Sequence, residues 1–386
     1  MERYSLSVPA RINVLGNPTD GNEGDWHTIS VAIELRAGAL VEPADMLLFD
    51  ECQRASDGRL VSVRRVEDPD ASLARDGRAE LQKAALRRLL AFSPEFVAKF
   101  RRQKVRLATW TDVPRQSGLG GSSLLVILTL AAMRQLFRLD LRHHNDYVLA
   151  ELTQRIESVD LGITCGYADR YVPLLGGLAY IDYRGKLLQR PLNEEPYCTY
   201  ERLDRYVGEL PLVVCSTGLA RDSGQVHGIM RSRYLEEHAA YERQASPALP
   251  RPFMLQVMAD AGATAWRGKI ALLRGDWVTF GALMNENHRL VNEMMAYCGL
   301  RNEGVEATNR LIEAALSAGA LGAKLTGAGG GGSVFALTHP GDEPRLAEVF
   351  AATAQELGLS EASIFIPRVA REGLWIEEVA PEIVVP

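Results

Sequence analysis

Short runs of alternating or β-branched apolar residues take turns along the chain with stretches in which apolar residues recur every three or four positions, so strands and helices are both predicted from end to end. The first strands fall at Ser5–Leu15 and Thr28–Leu35. Between them, Gly16–Asp25 is more polar and glycine-containing than a plain hairpin requires, which makes it a candidate ligand-binding loop. Val105–Trp110 reads as a strand leading through Pro114 into a glycine-serine loop and then a helix over Leu124–Leu139. A second helix is predicted over Tyr147–Ser158, with Leu149, Leu152 and Ile156 on one face. Gly177–Tyr183 is strand-like, and the polar, proline-containing stretch Lys186–Tyr206 after it marks a change of domain near Gly208, giving segments 1–208 and 209–386. Beyond lie a strand at Pro211–Ser216, a helical region Pro252–Tyr297, a helix Gly304–Ala318, a strand Ser333–Leu337 and a last strand Ile364–Val369. The pattern is that of mixed α and β layers.

Composition narrows the function classes. Nearly half of the 386 residues are apolar, enough for two ordinary cores. The net charge is −6 with basic residues scattered, so neither a nucleic acid nor an acidic membrane surface is an expected partner. The longest apolar run, Leu124–Met133, falls short of the roughly 20 residues that cross a bilayer. Cys52, Cys165, Cys198, Cys215 and Cys298 form no CxxC pair and no zinc spacing, which fits reduced packing residues. The N-terminal segment lacks a signal-peptide pattern, and the expectation is a cytoplasmic protein.

Three features carry chemistry. Pro114-Arg115-Gln116-Ser117-Gly118-Leu119-Gly120-Gly121-Ser122-Ser123 joins a strand to a helix, where glycines let the backbone approach a ligand and free N–H groups of the helix face a phosphate. Ser122 or Ser123 is positioned either to cap that helix or to give a hydroxyl to Mg²⁺. The alternative for an isolated loop of this kind is a plain serine-capped turn. The run Gly327-Ala328-Gly329-Gly330-Gly331-Gly332 contains the pattern GxGxxG, but it opens the strand-like Ser333–Leu337 where a dinucleotide loop must open a helix, so a nicotinamide or flavin enzyme is disfavoured. The third feature is acidic: Glu157 ends a helix and Asp169 follows a turn permitted by Gly162 and Gly166. A phosphotransferase needs one carboxylate for its metal and often another near the attacking hydroxyl. Read singly, each is an ordinary charge, and Asp169 has Arg170 beside it as a partner.

In order, PARINVLGNPTD, PRQSGLGGSSL and KLTGAGGGGS resemble the three motifs of the GHMP kinase superfamily (galactokinase, homoserine kinase, mevalonate kinase, phosphomevalonate kinase) over nearly the whole chain. LGNPTDG, ESVDLGITCGYADRYVPLLGGLAYIDY and DSGQVHGIMRSRY look most like the glucuronokinase-type sugar-1-kinases, whereas His27 and KLTGAGGGGS depart from that branch. The resemblance implies an α+β, two-domain fold: an N-terminal domain like ribosomal protein S5 domain 2, a C-terminal ferredoxin-like domain, and a cleft between them. It implies a kinase using ATP and Mg²⁺ on a sugar or uronic acid, foremost at the anomeric hydroxyl, acting as a monomer or homodimer. The alternatives are a mevalonate, phosphomevalonate or heptose kinase, a decarboxylase of the same fold, or a catalytically silent ATP and sugar sensor.

Roles follow by motif position. Asp169 would be the base and Arg11 its cationic partner near the transferred phosphoryl group. Pro114, Gly118, Leu119, Gly120, Gly121, Ser122 and Ser123 would wrap the ATP phosphates, with Gly327, Gly329 and Gly330 shaping the cleft and Lys324 nearby. Ser123 and Glu157 would hold Mg²⁺, and Asn17, Asp20, Arg115 and His227 would contact the acceptor, with Arg231 a further candidate.

Overall fold

The computed structural model describes residues 2–22, 24–55, 59–114, 117–186, 191–219, 223–243, 250–300, 303–327 and 332–380. The first part of the chain builds β1 (Tyr4–Leu15), β2 (His27–Ala44), β3 (Leu47–Arg54), β4 (Leu60–Asp68), α1 (Glu80–Phe92), α2 (Pro94–Phe100) and β5 (Lys104–Thr111). It continues with α3 (Gly121–Leu136), α4 (Asp146–Arg155), α5 (Ala168–Leu175), β6 (Leu178–Asp182), β7 (Thr199–Arg202) and the short α6 (Asp204–Val207). After these come β8 (Leu212–Ser216), α7 (Ser223–Arg243), α8 (Phe253–Leu273), α9 (Trp277–Tyr297), α10 (Glu303–Ser317), β9 (Gly322–Leu325), β10 (Ser333–Leu337), α11 (Glu343–Glu356), β11 (Ser363–Phe365) and β12 (Trp375–Glu378).

The strands make two sheets. The first has eight strands, in the order β12-β1-β2-β5-β3-β4, with β6 and then β7 added on β2. The 18-residue β2 is long enough to pair with β6 through its first residues and with β5 through its last. Where Pro9 interrupts β1, which lacks an N–H for the ladder there, the register against β2 shifts. The second sheet is antiparallel, in the order β11-β8-β10-β9.

Against the first sheet lies α3, apolar on every side, with Leu124 and Val126 to Met133 all buried, as a helix at the centre of a core must be. Val213, Cys215, Val334 and Ala336 of the second sheet pack on Leu311, Ile312 and Phe350 of α10 and α11. Met254, Met258, Met294, Met295 and Tyr234 join α7, α8 and α9 in a third cluster.

Several expectations need adjustment. The region Pro252–Tyr297 is two helices, broken where Gly275 takes φ +68° and Asp276 caps α9 through the Thr279 N–H. The predicted strand Ile364–Val369 is shorter, with β11 ending at Phe365 and Val369 making an isolated bridge to Ile33. The change of sheet falls between Arg202 and Leu212, yet the tail does not stay with the second sheet: β12 returns to pair with β1. No helix among the described residues is long and apolar enough to cross a membrane.

Candidate active site

Alternation along β1 sends Ala10, Ile12 and Val14 to one face and Arg11 and Asn13 to the other. Arg11 thereby reaches two other segments. Its Nε and Nη2 lie 2.6 Å from Asp169 Oδ1, and Nη1 donates to the Gly118 carbonyl at 2.6 Å. The Arg11 side chain is 3% exposed and that of Asp169 18%, so the carboxylate is the accessible partner. Burial alone would raise Asp169; the Arg11 and Arg170 charges, the Arg11 hydrogen bond and His227 on α7 outweigh it and hold the carboxyl below the ordinary range.

The loop into α3 is shaped by glycines. Gly118 takes φ +73° and Gly120, the residue capping α3, takes φ +93°. A Cβ on Gly118 would lie 2.9 Å from the Thr326 carbonyl, and one on Gly327 3.1 Å from Gly118, so the loop before α3 and the start of the glycine run after β9 meet backbone to backbone. Leu119 buries its side chain fully and offers the cleft only backbone. Neither serine caps α3, since Gly120 is the cap and no side chain bonds there. Both hydroxyls go to Glu157 instead: Ser122 Oγ donates to Oε1 and Ser123 Oγ to Oε2, each at 2.8 Å.

Glu157 stands in the π-helical turn Ile156–Asp160 that ends α4, a local widening often found at functional sites. It is 1% exposed and ion-paired through Oε2 with Arg170, which lies 3.5 Å from Asp169 Oδ2. The neighbour that sequence offers Asp169 as a simple partner thus turns chiefly to the other acid. Nothing in the sequence signalled this beyond the adjacency of the two residues.

Asp20, on the turn Thr19–Gly21, accepts the Ala168 N–H at 2.9 Å, and a Cβ on Gly166 would strike its carboxylate at 2.2 Å. Burial, and then the charge of Asp169, push Asp20 up to about 6 against the opposing Ala168 N–H, Arg11 and Arg170. Asn17 is 1% exposed and both ends of its amide are bonded: Oδ1 accepts from Lys324 Nζ at 2.8 Å and Nδ2 donates to the Gly327 carbonyl at 3.4 Å. It braces the loop. Lys324, expected near the glycine run, bonds to the Asn17 side chain that also holds Gly327. It is fully buried, donates to Leu325 and Asn13 carbonyls as well, and is lowered to about 7 by burial. Arg115, Gly329 and Gly330 lie outside the described residues.

These oxygens fit a hard cation supplied with phosphates. Glu157 Oε1 has one partner, the hydroxyl of the exposed Ser122, which keeps its lone pairs; no cluster of three metal-binding side chains exists among the described residues, so most of the ligand shell must come from elsewhere. The open N-terminus of α3, where a Cβ on Gly121 would meet nothing within 4 Å, fits phosphate oxygens.

Residues 81–177 match the family model for the GHMP kinases N terminal domain and residues 269–356 that for GHMP kinases C terminal. The mevalonate kinase of Pyrococcus abyssi is 30% identical over 72% of this chain and 70% of its own. Glucuronokinase 1 of Arabidopsis thaliana is 26% identical over 88% of this chain and 86% of its own. The structure of Lactococcus lactis galactokinase complexed with galactose superposes with a TM-score of 0.72 at 18% identity, covering 97% of this chain and 95% of that one, which is a likeness of fold. The chain belongs to the GHMP kinase superfamily and has its two-domain α+β fold. It is an ATP-dependent phosphotransferase.

Proposed function

We propose that the chain phosphorylates a hydroxyl of a sugar or uronic acid, foremost the anomeric one. The observation that carries this reading is the Arg11–Asp169 pair: an ionised carboxylate with Oδ1 taken by Arg11 and Oδ2 left without a close hydrogen bond, next to the loop whose Gly118 carbonyl the same arginine holds. In the proposed step the acceptor O–H gives its proton to Asp169 Oδ2 as its oxygen bonds to the γ-phosphorus. The bond from that phosphorus to the β–γ bridging oxygen breaks, and ADP leaves. Arg11 keeps Asp169 ionised and opposes charge on the phosphoryl oxygens, while the backbone N–H groups of Gly118 to Ser122 orient the phosphates. Bound Mg²⁺ would neutralise phosphate charge. We assign Glu157 Oε1 and Ser122 to it in preference to Ser123, which is 2% exposed and bonded to the oxygen that Arg170 occupies.

On the acceptor side, Asp20 and His227 are the proposed contacts, with Asn17 as support. Asp20, raised by its surroundings, suits a sugar hydroxyl as partner. The glucuronokinase likeness supports a uronic acid by spanning 88% of the chain. The 30% identity with a mevalonate kinase favours mevalonate as the second acceptor class. The test is Mg²⁺- and ATP-dependent ADP formation against glucuronate, galacturonate, galactose, a heptose phosphate and mevalonate. The expected result is turnover on a sugar or uronic acid with phosphate on the anomeric oxygen; turnover on mevalonate alone would replace this reading with the second.

A further inference from the structure

Arg170 is fully buried, and beyond the share of its charge that reaches Asp169 the transfer step above gives it no task. Its guanidinium lies between the two acids of the site. Nη2 pairs with Glu157 Oε2, Nη1 donates to the Gly166 carbonyl and stands 3.5 Å from Asp169 Oδ2, and Nε is buried without a partner. A carboxylate as buried as Glu157 is costly unless its charge is met. In many metal sites the metal itself meets it. Here the chain does so, and each acid has its own guanidinium: Arg11 on Asp169, Arg170 on Glu157. The third acid of the site, the buried Asp20, is turned to the Ala168 N–H.

This matching has a consequence for the order in which charges assemble. Mg²⁺ gives up its water reluctantly and is drawn to sites with uncompensated carboxylates or phosphates. A lone Mg²⁺ approaching Glu157 meets a carboxylate already neutralised, with one oxygen left, shared with the Ser122 hydroxyl. The phosphates of ATP bring the negative charge that the protein withholds. We propose that Arg170 is the resident counter-charge of Glu157, holding Oε2 and leaving only Oε1 toward the cleft, so that Mg²⁺ enters with the phosphates of ATP and not ahead of them. Arg170 acts here through Glu157 and is a positioning residue. The inference rests on the reading of Glu157 as the acid on the Mg²⁺ side.

Calorimetric titration of MgCl₂ into the metal-free full chain tests it. Wild type is expected to show saturable Mg²⁺ binding only when ATP or a non-hydrolysable analogue is present. Arg170→Lys, which keeps the charge, is expected to match it. Arg170→Gln, which keeps a polar side chain and loses the charge, is expected to bind Mg²⁺ without nucleotide at least about tenfold more tightly than wild type. The added change Glu157→Gln in the same chain should abolish that binding. Saturable nucleotide-free binding to wild type would overturn the proposal even if Arg170→Gln does not fold, and so would a folded Arg170→Gln as silent as wild type. Glu157→Gln alone separates the two levels. An unchanged Mg²⁺ requirement for turnover in that variant overturns the reading of Glu157 itself, whereas a raised requirement with a silent Arg170→Gln overturns only the role of Arg170.

Discussion

Lys324 shows how much of a residue's setting its motif leaves open. A lysine at the entrance to a glycine-rich run invites a phosphate partner, yet its ammonium is enclosed with the Asn17 amide and two backbone carbonyls, and burial lowers it to about 7. Between pH about 7 and 10.5 the unfolded chain holds a proton there that the folded chain lacks, so this residue makes stability rise with pH across that window. We expect Lys324→Met to flatten the rise. Denaturant midpoints of the two proteins at the two ends of the window measure it, and an undiminished slope in the variant would contradict the assignment. Arg170 is the opposite case. Beside Asp169 in sequence it looks like a surface partner; only the turn of α5 toward α4 makes it the counter-ion of Glu157.

At the scale of elements, the strands and helices that were legible are those with one buried face or none exposed. β1, β5, β10 and α3 fall within a few residues of their predicted positions because burial imposes a clear period on them. β4 escaped because most of its residues are exposed to some degree on both faces, and β12 because four residues in a tail carry almost no pattern. The π-helical turn that holds Glu157 was read as ordinary helix, since one widened turn leaves the apolar spacing before it unchanged. Glycine content located both loops correctly as sites of close approach, but that they approach each other is a tertiary fact. Gly118→Ala tests this contact, for the new Cβ would meet backbone at Thr326 and sit at positive φ. Stability should fall by about 1–2 kcal/mol, and KM for ATP should rise more than KM for the acceptor. Chemical denaturation and steady-state kinetics read the two effects, and unchanged values would show that the loops are not held in this way.

For the molecule as a whole, the site is assembled from segments far apart in sequence: Arg11 from β1, the loop before α3, Glu157 after α4, Asp169 on α5 and Gly327 after β9. The third glycine loop is tied to the first loop through Lys324 and Asn17, and β12 returns the end of the chain to the first sheet. The two-domain α+β fold was therefore legible through the resemblance of the three motifs, while the crossing tail was not. Net charge, −6 overall, says little about a site in which two of the three acids are matched by buried guanidiniums. The central claim is that Asp169 takes the proton from the acceptor. Its most direct test is single-turnover phosphoryl transfer by Asp169→Asn, alongside its MgATP affinity. The account predicts a loss of at least about 100-fold in rate with MgATP bound as in wild type; a variant that transfers phosphate at the wild-type rate would contradict it.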